Sequence, residues 1–265
     1  MSGADLSDRA FVLATDLDGT FLGGSEAQRD ALYRWIEARR DSVGLIFVTG
    51  RDPDFIVDLT RGTPIPTPDY VVGDVGTTIA HVPDHGHPVP IEALEAEIAE
   101  IWGNAGERIR HVLKGHPGLA LQPTEFRYRV SYDLDPVAFD PAAVERVEAM
   151  GFDALISADR YFDVLPRGVS KGPSLRRLVS HLGVEGRRVL CAGDTLNDLS
   201  MLICGLPAVA VGNSEPRLLE ALPAAPHIHR AEAHGAGGIM EAIAAFRLHP
   251  EIPEPPTGRE RKDAV

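Results

Sequence analysis

Two things are scarce in this chain of 265 residues: cysteine and long apolar runs. Only Cys191 and Cys204 occur, both in apolar surroundings. Two such residues build no disulfide framework. They read as reduced core packers, which suits the cytoplasm. The longest apolar stretches, such as LPAVAV, fall far short of the roughly 20 residues a membrane-spanning helix needs. The opening MSGADLSDRA lacks the apolar core of a cleaved signal peptide, so secretion by that route is not expected. Positive charge is short as well. The 26 Lys and Arg stand against 39 Asp and Glu, a net charge of −13. That balance argues against nucleic acid or an anionic membrane as partner. It leaves room for a small anionic substrate, because one bound cation can reverse the field at one site.

What is present is the composition of a soluble globular protein, 44% hydrophobic and 25% charged, long enough for one large domain or two modest ones. Five short apolar runs read as buried strands: residues 10–16 (AFVLATD), 44–50 (GLIFVTG), 70–74 (YVVGD), 188–194 (RVLCAGD) and 208–213 (AVAVGN). They are continuous rather than alternating, as strands covered on both faces of a parallel sheet should be. Helical patterns lie between many of them. After Ser25 one face collects Ala31, Leu32, Trp35 and Ile36, and Ser25 with Gln28 has the spacing of a capping box. GPSLRRLVSHLG repeats the pattern with Leu175, Leu178, Val179 and Leu182, stopping at Gly183. Strand, helix, strand in alternation predicts an α/β, doubly wound, Rossmann-like core.

The middle reads differently. IEALEAEIAEIW predicts an amphipathic helix with Ile91, Leu94, Ile98 and Ile101 on one face. FRYRVSYDLD alternates as a half-exposed strand, PAAVERVEAMG is a helix, and FDALISA with RYFDVLP reads as a strand pair. We therefore expect a core from 1–82 and 161–247, a smaller α/β unit inserted at 83–160, and a proline-rich, charged, disordered tail at 248–265. Four of the five core strands end in a residue with chemistry or in a tight Gly turn: Asp16, Thr49-Gly50, Asp74 and Asp194. Ligands of open parallel sheets bind beyond the carboxyl ends of the strands, so these groups should converge on one rim. Asp74 can equally belong to a turn that starts the insertion, and it is given no role.

DLDGT sets Asp16 and Asp18 two residues apart at the end of a strand. A plain turn is one reading. A calcium loop fails on register, since Phe21 falls where that loop needs glycine. The remaining reading is a magnesium site, with oxygen ligands from one short segment and a distant carboxylate. GDTLND supplies Asp194, Asn197 and Asp198, where helix capping explains Asn197 or Thr195 but not acids at both 194 and 198. In VTGR, the Thr49 hydroxyl and nearby backbone N–H groups can hold phosphate oxygens at a helix start. Lys171 precedes the Gly-Pro that opens a helix, where a cation can offset a phosphate and a nucleophile.

These four stretches, in this order, resemble the four motifs of the haloacid dehalogenase superfamily of phosphatases: Asp16-Leu-Asp18-Gly-Thr, Thr49, Lys171, and Gly193-Asp194 to Asp198. The insertion resembles the α/β cap of that superfamily's sugar-phosphate phosphatases. PDYVVGDVGT, LQPTEFRYRVSYDLD, FDVLPRGVSKG, VGNSEPRLLEAL and HGAGGIMEAI are similar to stretches of sucrose-phosphate phosphatases and their relatives.

The resemblance implies that Asp16 attacks phosphorus to give an aspartyl-phosphate, while Asp18 protonates the leaving sugar oxygen and then activates water. It implies Mg2+ held by the Asp16 carboxylate, the Asp18 carbonyl and Asp194, with Asn197 and Asp198 in or just behind that shell. Thr49 and Lys171 would stabilise the phosphoryl oxygens. Gly50, Arg51 and Asn197 join them as candidate substrate contacts. Arg127 and Arg129 share one face of the expected strand, where they could meet sugar hydroxyls or simply line a solvated face. Arg51 could bind substrate or pair with Asp52 or Asp54.

The implied substrate is a small glycosyl phosphate: sucrose 6-phosphate, or a similar disaccharide or glycosylglycerol phosphate. A phosphomutase, or a phosphosugar-binding protein without turnover, is the alternative. A monomer or small homo-oligomer is expected. His81, His85 and His87 lie in a polar loop, and His227 and His229 alternate along a possible edge strand; neither group is read as a metal site.

Overall fold

The computed structural model describes residues 6–83, 86–157 and 159–254. Its first strands are β1 (Phe11–Thr15), β2 (Val43–Val48), β3 (Tyr70–Gly73), β4 (Thr78–His81) and β5 (Val89–Pro90). Next come β6 (Leu119–Leu121), β7 (Val130–Leu134), β8 (Phe152–Ser157) and β9 (Tyr161–Pro166), and last β10 (Val189–Gly193), β11 (Ala208–Ala210) and β12 (Ile228–Arg230). The helices are α1 (Glu26–Glu37), α2 (Phe55–Thr60), α3 (Glu92–Trp102), α4 (Gly106–Val112), α5 (Ala142–Ala149), α6 (Lys171–His181), α7 (Leu199–Leu202), α8 (Pro216–Ala221) and α9 (Ala236–Phe246).

The larger sheet has the order β12-β11-β10-β1-β2-β3-β4-β5. Every pairing from β12 to β3 is parallel, and β4 and β5 extend it antiparallel at one edge. Side chains of a strand alternate between faces, so β1 contributes to two separate cores. Phe11 and Leu13 pack with residues of α1 and α9; Val12 and Ala14 pack with residues of α6 and α7. Both faces are covered, which is why these strands read as unbroken apolar runs. The Ser25 capping box that starts α1 is formed: Gln28 N donates to Ser25 Oγ at 3.3 Å and Ser25 N donates to Gln28 Oε1 at 2.9 Å.

The smaller sheet is antiparallel throughout, in the order β6-β7-β9-β8. Ile109 of α4 and Ala143 and Val147 of α5 close over Val130, Tyr132, Phe162 and Val164. Helix α3 joins the two bodies, with Ile98 in a core of the large sheet and Trp102 in that of the small one.

Several expectations need correction. The small sheet runs on past 160, because Tyr161–Pro166 pairs with both β7 and β8. The large sheet in turn reaches past residue 83 through β5. Helix α3 turns buried Glu95 inward and leaves Ile101 exposed, since Glu95 accepts from the backbone N–H of Ile79 at 3.1 Å. Arg127 and Arg129 precede β7 instead of lying along a strand. Residues 248–254 are ordered against α1: buried His249 meets Ser42 Oγ at 3.0 Å, and Trp35 Nε1 donates to the Glu251 carbonyl at 3.1 Å. The rest of the expected tail, 255–265, lies outside the described residues.

Candidate active site

Adjacent parallel strands present their carboxyl ends together, and here β1, β2 and β10 bring Asp16, Thr49 and Asp194 to one rim. Beyond β1 the chain folds back in a tight loop in which Phe21 N donates to the Asp16 carbonyl at 3.2 Å. Gly19 takes φ +81° in that loop, and a Cβ there would lie 2.2 Å from Asp194 Oδ2. The glycine of DLDGT is therefore what allows the two aspartate segments to touch. Thr20 completes the contact, its hydroxyl donating to Asp194 Oδ1 at 2.6 Å.

Lys171 is the first residue of α6 and is fully buried. Its ammonium donates to Asp16 Oδ1 at 2.6 Å, Asp198 Oδ1 at 2.6 Å and Asn197 Oδ1 at 3.0 Å. The other Asp198 oxygen accepts the N–H groups of Asp194 and Thr195, both at 3.0 Å. Asp198 thus ties the loop after β10 to Lys171. Burial works against the Lys171 charge, but the Asp16 and Asp198 carboxylates outweigh it and hold the ammonium above its ordinary range. Burial pushes Asp16 well above the usual carboxylate range, with Lys171 pulling the other way. Burial likewise raises Asp194 to about 7, the Thr20 hydrogen bond opposing and the Asp198 charge adding.

Among the described residues Asp16, Asp194 and Asp198 form an acidic cluster whose ligand oxygens all lie within 4.8 Å of one another. An all-oxygen donor set fits a hard cation such as Mg2+. Burial raises the carboxyls of Asp16 and Asp194, so their ionised forms would be favoured by a further positive charge beside them, which a bound cation would supply. Lys171 is engaged with two of the three acids, and Asp198 has both oxygens in use.

Arg51 pairs with neither Asp52 nor Asp54. Its Nε and Nη2 donate to the two oxygens of Asp18 at 2.8 and 2.7 Å, and its guanidinium lies 4.2 Å from the centre of the Phe55 ring. Thr49 Oγ1 accepts from Arg51 N at 3.1 Å, which leaves the hydroxyl proton to donate elsewhere. A cavity of about 360 Å³ opens on these groups. The large sheet's loops contribute Asp16, Asp18, Thr49, Gly50, Arg51, Val75, Thr195 and Asn197; Gln122, Arg129, Ser157, Tyr161 and Asp163 face them from the smaller body. A larger cavity, about 530 Å³, lies along Ile56 to Ile65 and holds none of the clustered acids.

Of the expected contacts, Arg129 lines the cavity and Arg127 does not; Arg127 is bound to both carboxylate oxygens of Glu95, at 2.7 and 2.9 Å. Thr20, Gln122, Ser157, Tyr161 and Asp163 escaped the sequence reading. A signal existed for two of them: Phe162 and Val164 enter the small core, so Tyr161 and Asp163 must face the other way. Exposed His87 meets Asp54 at 3.4 Å and His229 meets Glu241 at 2.8 Å, while His85 lies outside the described residues.

Residues 9–247 match the sucrose-6F-phosphate phosphohydrolase family. The chain belongs to that family. As a sucrose-6F-phosphate phosphohydrolase-family member of the haloacid dehalogenase superfamily, it is 39% identical over 237 residues to a glucosylglycerol-phosphate synthase of Pseudomonas anguilliseptica, covering 89% of this chain and 30% of the synthase. A mannosylfructose-phosphate phosphatase of Agrobacterium fabrum is 29% identical over 250 residues, covering 90% of this chain and 98% of that protein. A probable sucrose-phosphatase of Arabidopsis thaliana is 31% identical, covering 91% of this chain and 60% of its own length. The family member thus spans less than two thirds of the synthase and the plant protein. Among solved structures, the sucrose-phosphatase of Synechocystis sp. PCC6803 in complex with sucrose and phosphate has a TM-score of 0.81 and 26% identity, covering 90% of this chain and 98% of the other.

Proposed function

We propose that this chain is a Mg2+-dependent phosphatase acting on a small glycosyl phosphate, a sucrose 6-phosphate or a similar disaccharide or glycosylglycerol phosphate. One observation carries the reading: Asp16, with Lys171 bonded to it and Asp194 beside it, lines a cavity whose opposite wall is supplied by the smaller sheet. The relatives support the substrate class, since they include a mannosylfructose-phosphate phosphatase and a probable sucrose-phosphatase.

In the first step a carboxylate oxygen of Asp16 bonds to phosphorus and the bond from phosphorus to the sugar oxygen breaks. Asp18 gives its proton to that oxygen, releasing the sugar as an alcohol. In the second step the Asp18 carboxylate takes a proton from water, whose oxygen bonds to phosphorus as the Asp16 ester bond breaks. Asp16 returns unchanged and phosphate leaves.

Lys171 favours the ionised form of Asp16 against the cost of burial and aims its carboxylate, and Asp198 and Asn197 hold Lys171 in place. The Thr49 hydroxyl and the N–H groups after it donate to phosphoryl oxygens. Arg51 presents to an anionic ester the same fork it now presents to Asp18, so substrate arrival and release of Asp18 are one exchange. The residues that would hold Mg2+ are Asp16, Asp194 and the Asp18 carbonyl, and the ion supplies neutralising charge between carboxylate and phosphate.

Phosphate release from a panel of sugar monophosphates, with and without Mg2+, tests the reading. Activity should be selective for glycosylated sugars or glycerol, and vanish with EDTA and in Asp16→Asn while the fold survives. Metal-independent turnover by the wild type would overturn the mechanism; a flat profile over the panel would overturn only the substrate.

A further inference from the structure

Arg129 is a buried guanidinium between two buried carboxylates on different bodies. Asp74 follows β3 at the rim of the large sheet and meets Arg129 Nη2 at 3.3 Å; Asp163 of β9 meets Nη1 at 3.5 Å. Each acid is fixed by a neighbour of its own. Thr78 Oγ1 donates to Asp74 at 2.7 Å, and Ser131 Oγ donates to Asp163 at 2.5 Å. The guanidinium is stacked 3.6 Å from the centre of the Phe126 ring, and its Nε finds no partner among the described residues. Two residues earlier, Arg127 reaches Glu95 of α3 and the same Thr78 hydroxyl, at 3.3 Å. Both arginines of the segment entering β7 are thus docked on the edge of the large sheet.

Asp74 opens a turn of three successive residues with positive φ: Asp74 at 52°, Val75 at 60° and Gly76 at 103°. Such a value is a strained outlier for a β-branched residue. The turn is buttressed from behind. Ser174 Oγ donates to the Gly76 carbonyl at 2.6 Å, and a Cβ on Gly76 would lie 2.4 Å from the Ser170 backbone and 2.9 Å from Lys171 N. Asp74 itself does not line the cavity, whereas Val75 does.

We propose that the Arg129–Asp74 contact is a latch that sets how the smaller body closes over the cavity, with Arg129 and Asp74 acting as positioning residues for the reaction. The latch works through the turn at 74–76, whose other side abuts the start of the lysine helix, so closure and the placement of Lys171 are linked. It acts on the same cavity and presupposes the phosphatase reading in its kinetic arm only.

The test compares the full wild-type chain with Arg129→Gln, Arg129→Lys, Asp74→Asn and the Arg129→Gln/Asp74→Asn double variant. Asparagine is isosteric with aspartate and tolerates a positive φ, so Asp74→Asn should fold even if Arg129→Gln, which strands two buried acids, does not. Each single variant at Asp74 or Arg129→Gln should lower kcat/KM by about tenfold or more, and the double variant by no more than the worse single one, because both break one contact. Arg129→Lys, keeping charge but not the fork, should fall between wild type and Arg129→Gln. Amide hydrogen exchange, which needs no turnover, should rise in residues 74–76 and 126–134 in every variant without a global change. Wild-type kinetics in Asp74→Asn, additive losses in the double variant, or unchanged exchange in those segments would each overturn the latch. Absence of any phosphatase activity would instead overturn the function proposed above, while exchange still decides the latch.

Discussion

Lys171 is fully buried, and only three oxygen acceptors make that position tenable. Lys171→Met removes the counter-charge of Asp16 and Asp198 together. It should abolish phosphate release and lower stability by about 3 kcal/mol, read by urea unfolding near neutral pH; a variant as stable as wild type would refute the charge argument. Asp194 makes a second prediction. Burial raises its folded pKa to about 7 from an ordinary 3.8. Between those values the metal-free folded protein holds a proton that the unfolded chain lacks, so this group makes stability fall as pH rises. Mg2+ needs the ionised form, so stabilisation by Mg2+ should grow as pH passes through about 7. Thermal melts with and without Mg2+, from about pH 5 to about pH 8, would show it; a pH-independent shift would not fit. Asp16, Asp194 and Lys171 were legible as a group because each ends an apolar strand or opens a helix. Thr20 was not, since a hydroxyl beside a glycine reads as turn chemistry until its partner, far off in sequence, is known.

At the scale of elements, the turn at 74–76 is a piece of the rim that leaves no room for a larger residue at Gly76. Gly76→Ala would press a methyl group into the Ser170 backbone at a φ that L side chains avoid. A loss of about 2 kcal/mol in stability and a marked drop in kcat are expected, from thermal melts and initial rates; wild-type behaviour would mean that the lysine helix is not pinned there. Ser25→Ala, removing the formed capping box of α1, should cost about 1 kcal/mol and leave activity alone. That helix was readable because cap and apolar stripe agree. Helix α3 was predicted, but its inward face was misread at Glu95 and Ile101: Glu95 occupies an inward position on the strength of hydrogen bonds to Ile79 and Arg127. Hydrophobic periodicity cannot register a buried acid satisfied by another element.

For the whole molecule, continuous apolar strands separated by helices were enough to predict a doubly wound core, because burial on both faces leaves its mark in every strand. The seam between the bodies was harder. Pattern alone splits a hairpin such as β8–β9 as readily as it joins one, and only pairing with β7 assigns Tyr161–Pro166 to the smaller sheet. The parallel neighbours of β1 have a kinetic consequence. Ala14 pairs with Ile46 on one side but with Cys191 on the other. During synthesis on the ribosome this fully buried strand must wait, with one edge open, until most of the chain has been translated. Such long-range pairing implies slow refolding and sensitivity to dilution and chaperones, with enzymatic turnover regained only in the last kinetic phase.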